Sequence, residues 1–518
     1  MSSEPTLSET APLIAYVAHW AEHTPKALAL ELPDSEISYL ALWETIEGRA
    51  RTLAQTTRPG DRVAAVLSNG LDYISLLYAC YLTDRIFVGL DADIQRLAAV
   101  AALGHSEPTL VVCRDDWQSI DATLSRLESP PRVALASEFA AASDNGPELV
   151  QHATTAVTDS RRPAKLVFTS GTTGDPKAVT LSHENLACNA RAIADYLRLG
   201  TNDRGLCVLP FTYAYGNSVL DSHLVAGATL VLGQGSGFPE AIAQQLSQSQ
   251  ATGFAAVTPL LHRLVASGAL MRHETPALRY VTQAGSPMHP DAVKSLQRAL
   301  GKRVEVFAMY GQTEATSRLT YLPPERLRTK PSSVGKPIKG TEIQIRTNDG
   351  TLAPPHQIGE IFARGPSIMM GYWRNDDATA AVLAPDGWLK TGDLGYLDRD
   401  GDLFITGRTR EMILSGGYRI APSEVEEVAL PAAPQEQLAA VGVPDPHLGE
   451  RLVLAVHWSQ GRDPANQRAL HQSVLSACRR GLPVHKRPKE LVFVSDWPLT
   501  PSGKLRRHDL ARQLAGAG

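Results

Sequence analysis

The residues Thr169 to Lys177 read TSGTTGDPK, directly after the apolar run Lys165 to Phe168. Gly171 and Gly174 let the backbone turn tightly, and Thr169, Ser170, Thr172 and Thr173 surround them with hydroxyls. Such a loop can point N–H groups and hydroxyls at phosphate oxygens, and Lys177 adds a positive charge. The pattern GxxxxGK[ST] cannot be fitted to it, so it is not a Walker A loop. Further on, Tyr310-Gly311-Gln312-Thr313-Glu314 follows a β-branched run. Glu314 is a hard oxygen donor suited to Mg²⁺ carried on nucleotide phosphates. Thr313 can donate a hydrogen bond to a phosphoryl oxygen, and Tyr310 offers a flat face to a purine. Asp393, in Lys390-Thr391-Gly392-Asp393, can accept both hydroxyls of a ribose. Arg408 presents a planar guanidinium that suits ribose or phosphate. Taken singly, each also reads as a polar surface loop, a turn-capping carboxylate or a solvated charge.

These groups need rigid carriers. Arg62 to Leu67, Arg85 to Leu90, Thr109 to Cys113 and Lys165 to Thr169 read as strands, with helical patterns at Leu71 to Leu82 and Ile94 to Leu103. Strands alternating with helices of 10–15 residues imply βαβ units and a largely parallel sheet. Thr229 to Leu232, Gly253 to Val257, Arg279 to Gln283 and Val304 to Ala308 are further strand candidates. Pro and Gly rise from Pro323 to Gly371, with alternating runs at Glu342 to Arg346 and Glu360 to Ala363, which predicts an antiparallel β region closing a large domain. A boundary is expected between Thr406 and Gly417. Beyond it come a helix start at Pro422 to Glu427, strands near Ala439 to Val443 and Val453 to His457, and a helix at Gln467 to Arg480.

Length and composition bound the rest. A chain of 518 residues predicts about three structural units. A net charge of −4 gives no support for a polyanion-binding protein, so no nucleic-acid partner is expected. No apolar run approaches the ~20 residues that cross a bilayer, and Met1 to Pro12 lacks the pattern of a secretory signal. The cysteines Cys80, Cys113, Cys188, Cys207 and Cys478 are odd in number, scattered and without a CxxC pair. That fits reduced thiols in a cytoplasm and excludes a disulfide framework or a zinc site.

The string TSGTTGDPK resembles the phosphate loop of the acyl-adenylate-forming superfamily, which holds acyl-CoA synthetases, adenylation domains of peptide synthetases and firefly luciferase. Other strings match in the family's order: Gln283 to Met288 (QAGSPM), Tyr310 to Thr316 (YGQTEAT), Gly371 to Trp373 (GYW), Thr391 to Asp393 (TGD), Gly407 to Ile420 (GRTREMILSGGYRI) and Pro501 to Leu505 (PSGKL). The resemblance spans about Ala27 to Lys504. It implies an α/β fold with a large N-terminal domain, residues 1–409, of two α/β subdomains plus a distorted β-barrel. A small mobile α+β domain, residues 410–518, would follow it.

The resemblance implies ATP, Mg²⁺ and a thiol, coenzyme A or the phosphopantetheine of a carrier protein. The nucleotide would be held by Thr169, Ser170, Gly171, Thr172, Thr173, Gly174 and Lys177, by Gly285, Ser286 and Pro287, by Tyr310, Gly311 and Gln312, and by Asp393 and Arg408. Thr313, Glu314 and Lys504 would be catalytic, with Glu314 on the metal. Lys504, in Leu499 to Lys504 (LTPSGK), would bridge the incoming carboxylate and the α-phosphate, which offsets the repulsion of two anions. Arg410 stands at the family's hinge, where Asp or Lys is usual. Two other departures are Ala178, where the phosphate loop normally continues with Gly, and Lys390, where Arg is frequent.

Leu209 to Asn217 (LPFTYAYGN) resembles the opening of the family's substrate helix. The acyl pocket is expected to be lined by Tyr213, Ala214, Tyr215, Ser218, Gln283, Ala284 and Met309. Peptide-synthetase domains place an Asp at the position of Ala214 to pair an α-ammonium, so a small carboxylic acid other than an α-amino acid is expected. Asp221 could meet a β-amine or a hydroxyl, or stand as a helix-surface carboxylate. Ser415, Gly416 and Gly417 would face the thiol. Gly416 to Pro422 with Glu424 and Glu426 looks more like acyl-CoA synthetases, which favours coenzyme A, and the chain ends shortly after Lys504 with no carrier domain expected. The alternatives are a stand-alone enzyme loading an acyl-carrier protein and a catalytically silent scaffold. The second would be marked by loss of Lys504, Glu314 or the phosphate loop, all of which are present.

Overall fold

The computed structural model describes residues 7–8, 10–92, 94, 96–115, 124, 127, 129–137, 139, 159–169, 177–233, 238–285, 290–433, 436–458, 464–500 and 505–516. Among them the strands form four sheets. One has seven strands, in the order Gly371–Tyr372, Lys177–Ser182, Pro163–Thr169, Ile86–Leu90, Arg62–Val66, Leu110–Cys113 and Arg132–Leu135. Its last five strands run parallel; the pairs at the Gly371–Tyr372 margin are antiparallel. The second sheet has nine strands, with Glu305–Tyr310, Tyr280–Ala284, Gly253–Val257, Arg204–Cys207, Thr229–Leu232 and Leu28–Leu32 parallel through its centre and antiparallel strands at both margins. These are the two α/β subdomains, with the strands predicted from β-branched runs moved by no more than two residues at their ends.

Parallel strands covered by helices on both faces are buried throughout, so their residues read as continuous apolar runs. Ile86–Leu90 and Leu110–Cys113 are wholly buried. Lys165 is the exception, a lysine in the strand Pro163–Thr169 and only 1 % exposed.

The β region expected to close the large domain is a four-stranded antiparallel sheet of Glu342–Arg346, Gly359–Arg364, Leu389–Leu397 and Leu403–Arg408. The tip of its last hairpin carries Asp398, Asp400 and Asp402. Lys330 inserts among them, with Nζ 2.5 Å from Asp402 and 2.7 Å from Asp400 and a further bond to Asp398. Arg326 adds ion pairs to Asp402 at 2.8 Å and Asp400 at 3.0 Å. The three carboxylates therefore already hold a cation of the chain itself.

The small domain has its own five-stranded sheet, with Ile413–Ser415, Tyr418–Ile420, Leu438–Asp445, Gly449–His457 and Glu490–Val494, packed against the helices Pro422–Ala429, Pro464–Gly481 and Arg507–Gly516. Gly416 and Gly417 join its first two strands with φ of 58° and 81°. A two-residue hairpin turn with φ positive at both positions is strained for any side chain, which is why glycine stands twice. All five cysteines are free thiols, as expected. Among the described residues no helix is long and apolar enough to cross a membrane.

Candidate active site

The strand Glu305–Tyr310 ends at the carboxyl edge of its parallel sheet, where open α/β sheets bind ligands. There the Tyr310 hydroxyl donates to Asp393 Oδ2 at 2.6 Å. Asp393, 3 % exposed, also meets Arg408 Nε through Oδ1 at 2.9 Å. Asp393 and Arg408 are direct partners across the last hairpin of the antiparallel sheet, so register alone brings them together. Thr391 fixes the carboxylate's backbone: its hydroxyl accepts from the Asp393 N–H at 3.1 Å and donates to the Ile361 carbonyl at 2.7 Å. Burial, then the neighbouring Asp393, holds the Tyr310 phenol well above its ordinary range, so it stays a neutral donor. The Asp393 carboxylate in turn raises the Arg408 guanidinium.

Beyond Tyr310 the chain folds back on itself. A Cβ at Gly311 would lie 1.7 Å from the Ser317 carbonyl oxygen, so only glycine fits. Thr313–Ala315 form one 3₁₀ turn that presents Thr313 and Glu314. The Glu314 carbonyl accepts from the Met369 N–H at 2.9 Å, and its Oε1 accepts from the Tyr372 hydroxyl at 2.9 Å. The Lys177 ammonium lies 5.0 Å from the centre of the Tyr372 ring. Tyr372 thus stands between the lysine that ends the phosphate string and the carboxylate proposed for the metal. It is placed by pairing with Val179, two residues after Lys177. Glu314 Oε2 makes no hydrogen bond among the described residues, which leaves one hard oxygen for a divalent cation whose other ligands would be phosphate oxygens and water.

Thr169 and Lys177 face each other as the last register partners of an antiparallel pair, with the Thr169 hydroxyl 3.4 Å from the Lys177 carbonyl. Ser170, Gly171, Thr172, Thr173 and Gly174 lie outside the described residues, as do Ser286, Pro287 and Lys504. Gly285, with φ of 98°, ends the strand that carries Gln283 and Ala284. Ala178 continues its strand as the partner of Phe168, so the missing glycine costs no backbone freedom. Lys390 pairs with Glu360 at 3.5 Å.

The helix Ala214–Val225 starts where the substrate side was expected, with Tyr213 before its first turn and no side chain capping it. That turn packs tightly, since a Cβ at Gly216 would lie 2.2 Å from the Pro210 carbonyl. Two small cavities flank the helix. Tyr215 and Ser218 border the larger, Ala214 and Ser218 the smaller. Tyr213, Gln283, Ala284 and Met309 border neither. Gln283 donates to the Thr258 hydroxyl at 2.5 Å, and Met309 Sδ accepts from the Tyr196 hydroxyl at 3.0 Å within a buried apolar cluster.

Asp221 is not on the helix surface: it is 2 % exposed and borders the smaller cavity. It accepts from Tyr78 at 3.0 Å and from Asn217 Nδ2 at 2.5 Å, while Asn217 Oδ1 accepts from the Lys165 ammonium. Burial raises the Asp221 carboxyl and lowers the Lys165 ammonium, and each charge partly offsets the other's shift. Asp221 was singled out from sequence, but its link through Asn217 to Lys165 was not, and neither was Arg318. A lysine inside the apolar string PAKLVFT was the one visible signal.

In the small domain, Ser415 is buried and opposite Gly449. Arg410 lies in the 3₁₀ turn Thr409–Glu411, two residues past Arg408 at the end of the hairpin. Leu499 and Leu505 form an antiparallel bridge at the base of the segment that contains Lys504. Arg507 meets Glu426 at 2.5 and 2.9 Å and Glu411 at 3.2 Å, so the start of the last helix is tied to the turn Thr409–Glu411.

Comparison with known proteins matches the same two parts. Residues 17–373 fit the AMP-binding enzyme model, and residues 424–504 fit that of the AMP-binding enzyme C-terminal domain. A 2-succinylbenzoate–CoA ligase of Bacillus velezensis is 30 % identical over 497 residues, which is 95 % of this chain and 96 % of that protein. An indoleacetate–CoA ligase of Aromatoleum aromaticum is 30 % identical over 95 % of this chain and 96 % of its own. Among solved structures, o-succinylbenzoate coenzyme A synthetase (MenE) from Bacillus subtilis, in complex with ATP and a magnesium ion, is 26 % identical with a TM-score of 0.81, covering 96 % of this chain and 98 % of that one. The first of the two family models alone covers more than half of the chain and the second follows it in order: the chain belongs to the AMP-binding enzyme family.

Proposed function

We propose that the chain joins a small carboxylic acid to coenzyme A in two steps on one site. The acid and ATP give acyl-AMP and pyrophosphate; the thiol then attacks the acyl carbon, giving thioester and AMP. The observation that carries this reading is that strands of three sheets bring Tyr310 to Asp393 and Arg408, and bring Glu314, one residue past Thr313, to Tyr372, over whose ring Lys177 stands. In this reading Asp393 and Arg408 seat the ribose, Thr313 donates to the α-phosphate, and Lys177 with the phosphate loop holds the β- and γ-phosphates. Mg²⁺ at Glu314 supplies charge neutralisation on the phosphates. Lys504 is proposed to bridge carboxylate and α-phosphate during adenylation. The units 1–409 and 410–518 turn about Arg410, which withdraws Lys504 and brings Ser415, Gly416 and Gly417 to the thiol. Ala214 offers nothing to an α-ammonium, so the acid is not an α-amino acid. Free cysteines support a cytoplasmic setting.

Coenzyme A is supported as acceptor by the relatives' own activity. The test is acid-dependent AMP release measured with coenzyme A and, separately, with a phosphopantetheinylated carrier protein. Acceleration by coenzyme A is expected; acceleration by the carrier alone would transfer the second step to a carrier-loading enzyme. Failure of ATP–pyrophosphate exchange with every acid would overturn the first step.

A further inference from the structure

The larger cavity beside the helix Ala214–Val225 has apolar and neutral polar walls, among them Ile193, Tyr196, Tyr215 and Thr282, and one cation, Arg318. Arg318 is 2 % exposed. Its Nε donates to the Tyr196 hydroxyl at 3.2 Å, and its guanidinium carbon lies 4.9 Å from the centre of the Tyr215 ring. Asn189 holds its backbone from both sides, donating to the carbonyl at 2.9 Å and accepting from the N–H at 3.3 Å. The next residue, Leu319, bonds back to the Tyr310 carbonyl at 2.9 Å, so the side chain is fixed relative to the nucleotide site.

Among the described residues no carboxylate lies within ion-pair distance of Arg318, and no protein atom accepts from its two terminal amino groups. Other buried cations spend their terminal donors on protein groups: Arg49 on Asp72, Arg85 on the Thr83 and Thr57 carbonyls, and Lys165 on Asn217, which leads to Asp221. An unpaired buried charge is costly, and a guanidinium fork matches a planar carboxylate with two parallel hydrogen bonds. A missing partner on a rigid cation in a substrate-side cavity is best supplied by the substrate.

We infer that the acid bears a second carboxylate, and that Arg318 binds it at the far end of the acyl pocket. The inference rests on the ligase reading above and names the class of acid, a dicarboxylic acid with one carboxyl activated and the other held. 2-Succinylbenzoate, used by one relative, is an acid of this class; indoleacetate, used by another, is not. The residue, not the relatives, decides between them.

The experiment compares ATP–pyrophosphate exchange on aliphatic and aryl dicarboxylic acids with exchange on the half-methyl ester of each, in the wild type, Arg318→Met and Arg318→Lys. The wild type is expected to favour diacids over half-esters by about tenfold or more in kcat/KM, mostly through KM, because the ester leaves the guanidinium unmatched. Arg318→Met is expected to bring that ratio near one, and Arg318→Lys to keep part of it. A wild type that uses half-esters or neutral aryl acids as well as diacids overturns the inference and leaves the ligase reading intact. Equal loss of both substrate sets in Arg318→Met also overturns it, as the mark of a merely structural arginine. Should Arg318→Met fail to fold, the wild-type ratio and Arg318→Lys decide. Exchange with no acid at all fells the ligase reading and this inference with it.

Discussion

Lys504 and Tyr372 illustrate two ways in which a residue enters a site. Lys504 ends a Ser-Gly-Lys string that physical chemistry alone would leave to water, and only the match of LTPSGK to the family's last string gives it a task. Replacing it by Ala should lower ATP–pyrophosphate exchange by roughly 10²–10³-fold, the scale of losing one positioned charge. Thioester formation from supplied acyl-AMP should persist. Equal loss of both half-reactions would remove Lys504 from the adenylation step. Tyr372 was visible only as the centre of a GYW string. Its bond to Glu314 spans 58 residues, and no local pattern reports a partner so distant. Asp393 and Arg408 were legible from their strings, but not that they pair with each other, because register is a property of the folded hairpin. Arg318 carried no signal at all, since what singles it out is the lack of a carboxylate partner among the described residues.

Elements were easier to read than their joints. The helix Leu71–Leu82 and the strands Thr229–Leu232, Gly253–Val257 and Glu342–Arg346 stand at their predicted bounds, each a plain apolar run or alternation. The helix expected at Ile94 to Leu103 instead spans Arg96–Ser106, with the Ile94 N–H turned to the Asp91 carbonyl ahead of it. The antiparallel sheet runs on to Arg408, beyond the stretch that ended at Gly371. Its later strands were hidden by register shifts at Glu360/Phe362 and Leu394/Gly395, which break the two-residue alternation. Between elements, Lys165, Asn217 and Asp221 join the strand that leads into the phosphate loop to the substrate-side helix. Removing one end, as in Asp221→Leu, should destabilise the fold by about 3–5 kcal/mol, because a buried charge loses its partner. Lys165→Met with Asp221→Leu should recover most of that in chemical denaturation. A double variant as unstable as the sum of the two would show that the groups are not coupled.

At the scale of the whole molecule, the proposed boundary between the large and small domains falls in the turn Thr409–Glu411. If Arg410 is the pivot, Arg410→Pro, which fixes φ there, should spare pyrophosphate exchange and slow thioester formation. Matched loss of the two would contradict a hinge. The near-neutral charge of the chain is consistent with anion binding that rests on one loop and a few placed cations. That balance said nothing of the substrate, because the decisive charge is a single buried one.

The hairpin Leu389–Leu397 and Leu403–Arg408 is pinned at its tip by Lys330 and Arg326, and carries Asp393 and Arg408 at its other end. It ends at Arg408, directly before the turn Thr409–Glu411. In the proposed cycle, the ribose seat therefore belongs wholly to the stationary side. An acyl-adenylate, a labile mixed anhydride, would stay anchored while the catalytic surroundings are exchanged over it. The interval between the two half-reactions then becomes a period of guarded storage, and leakage of the activated acid to water is limited by how firmly three aspartates grip one lysine.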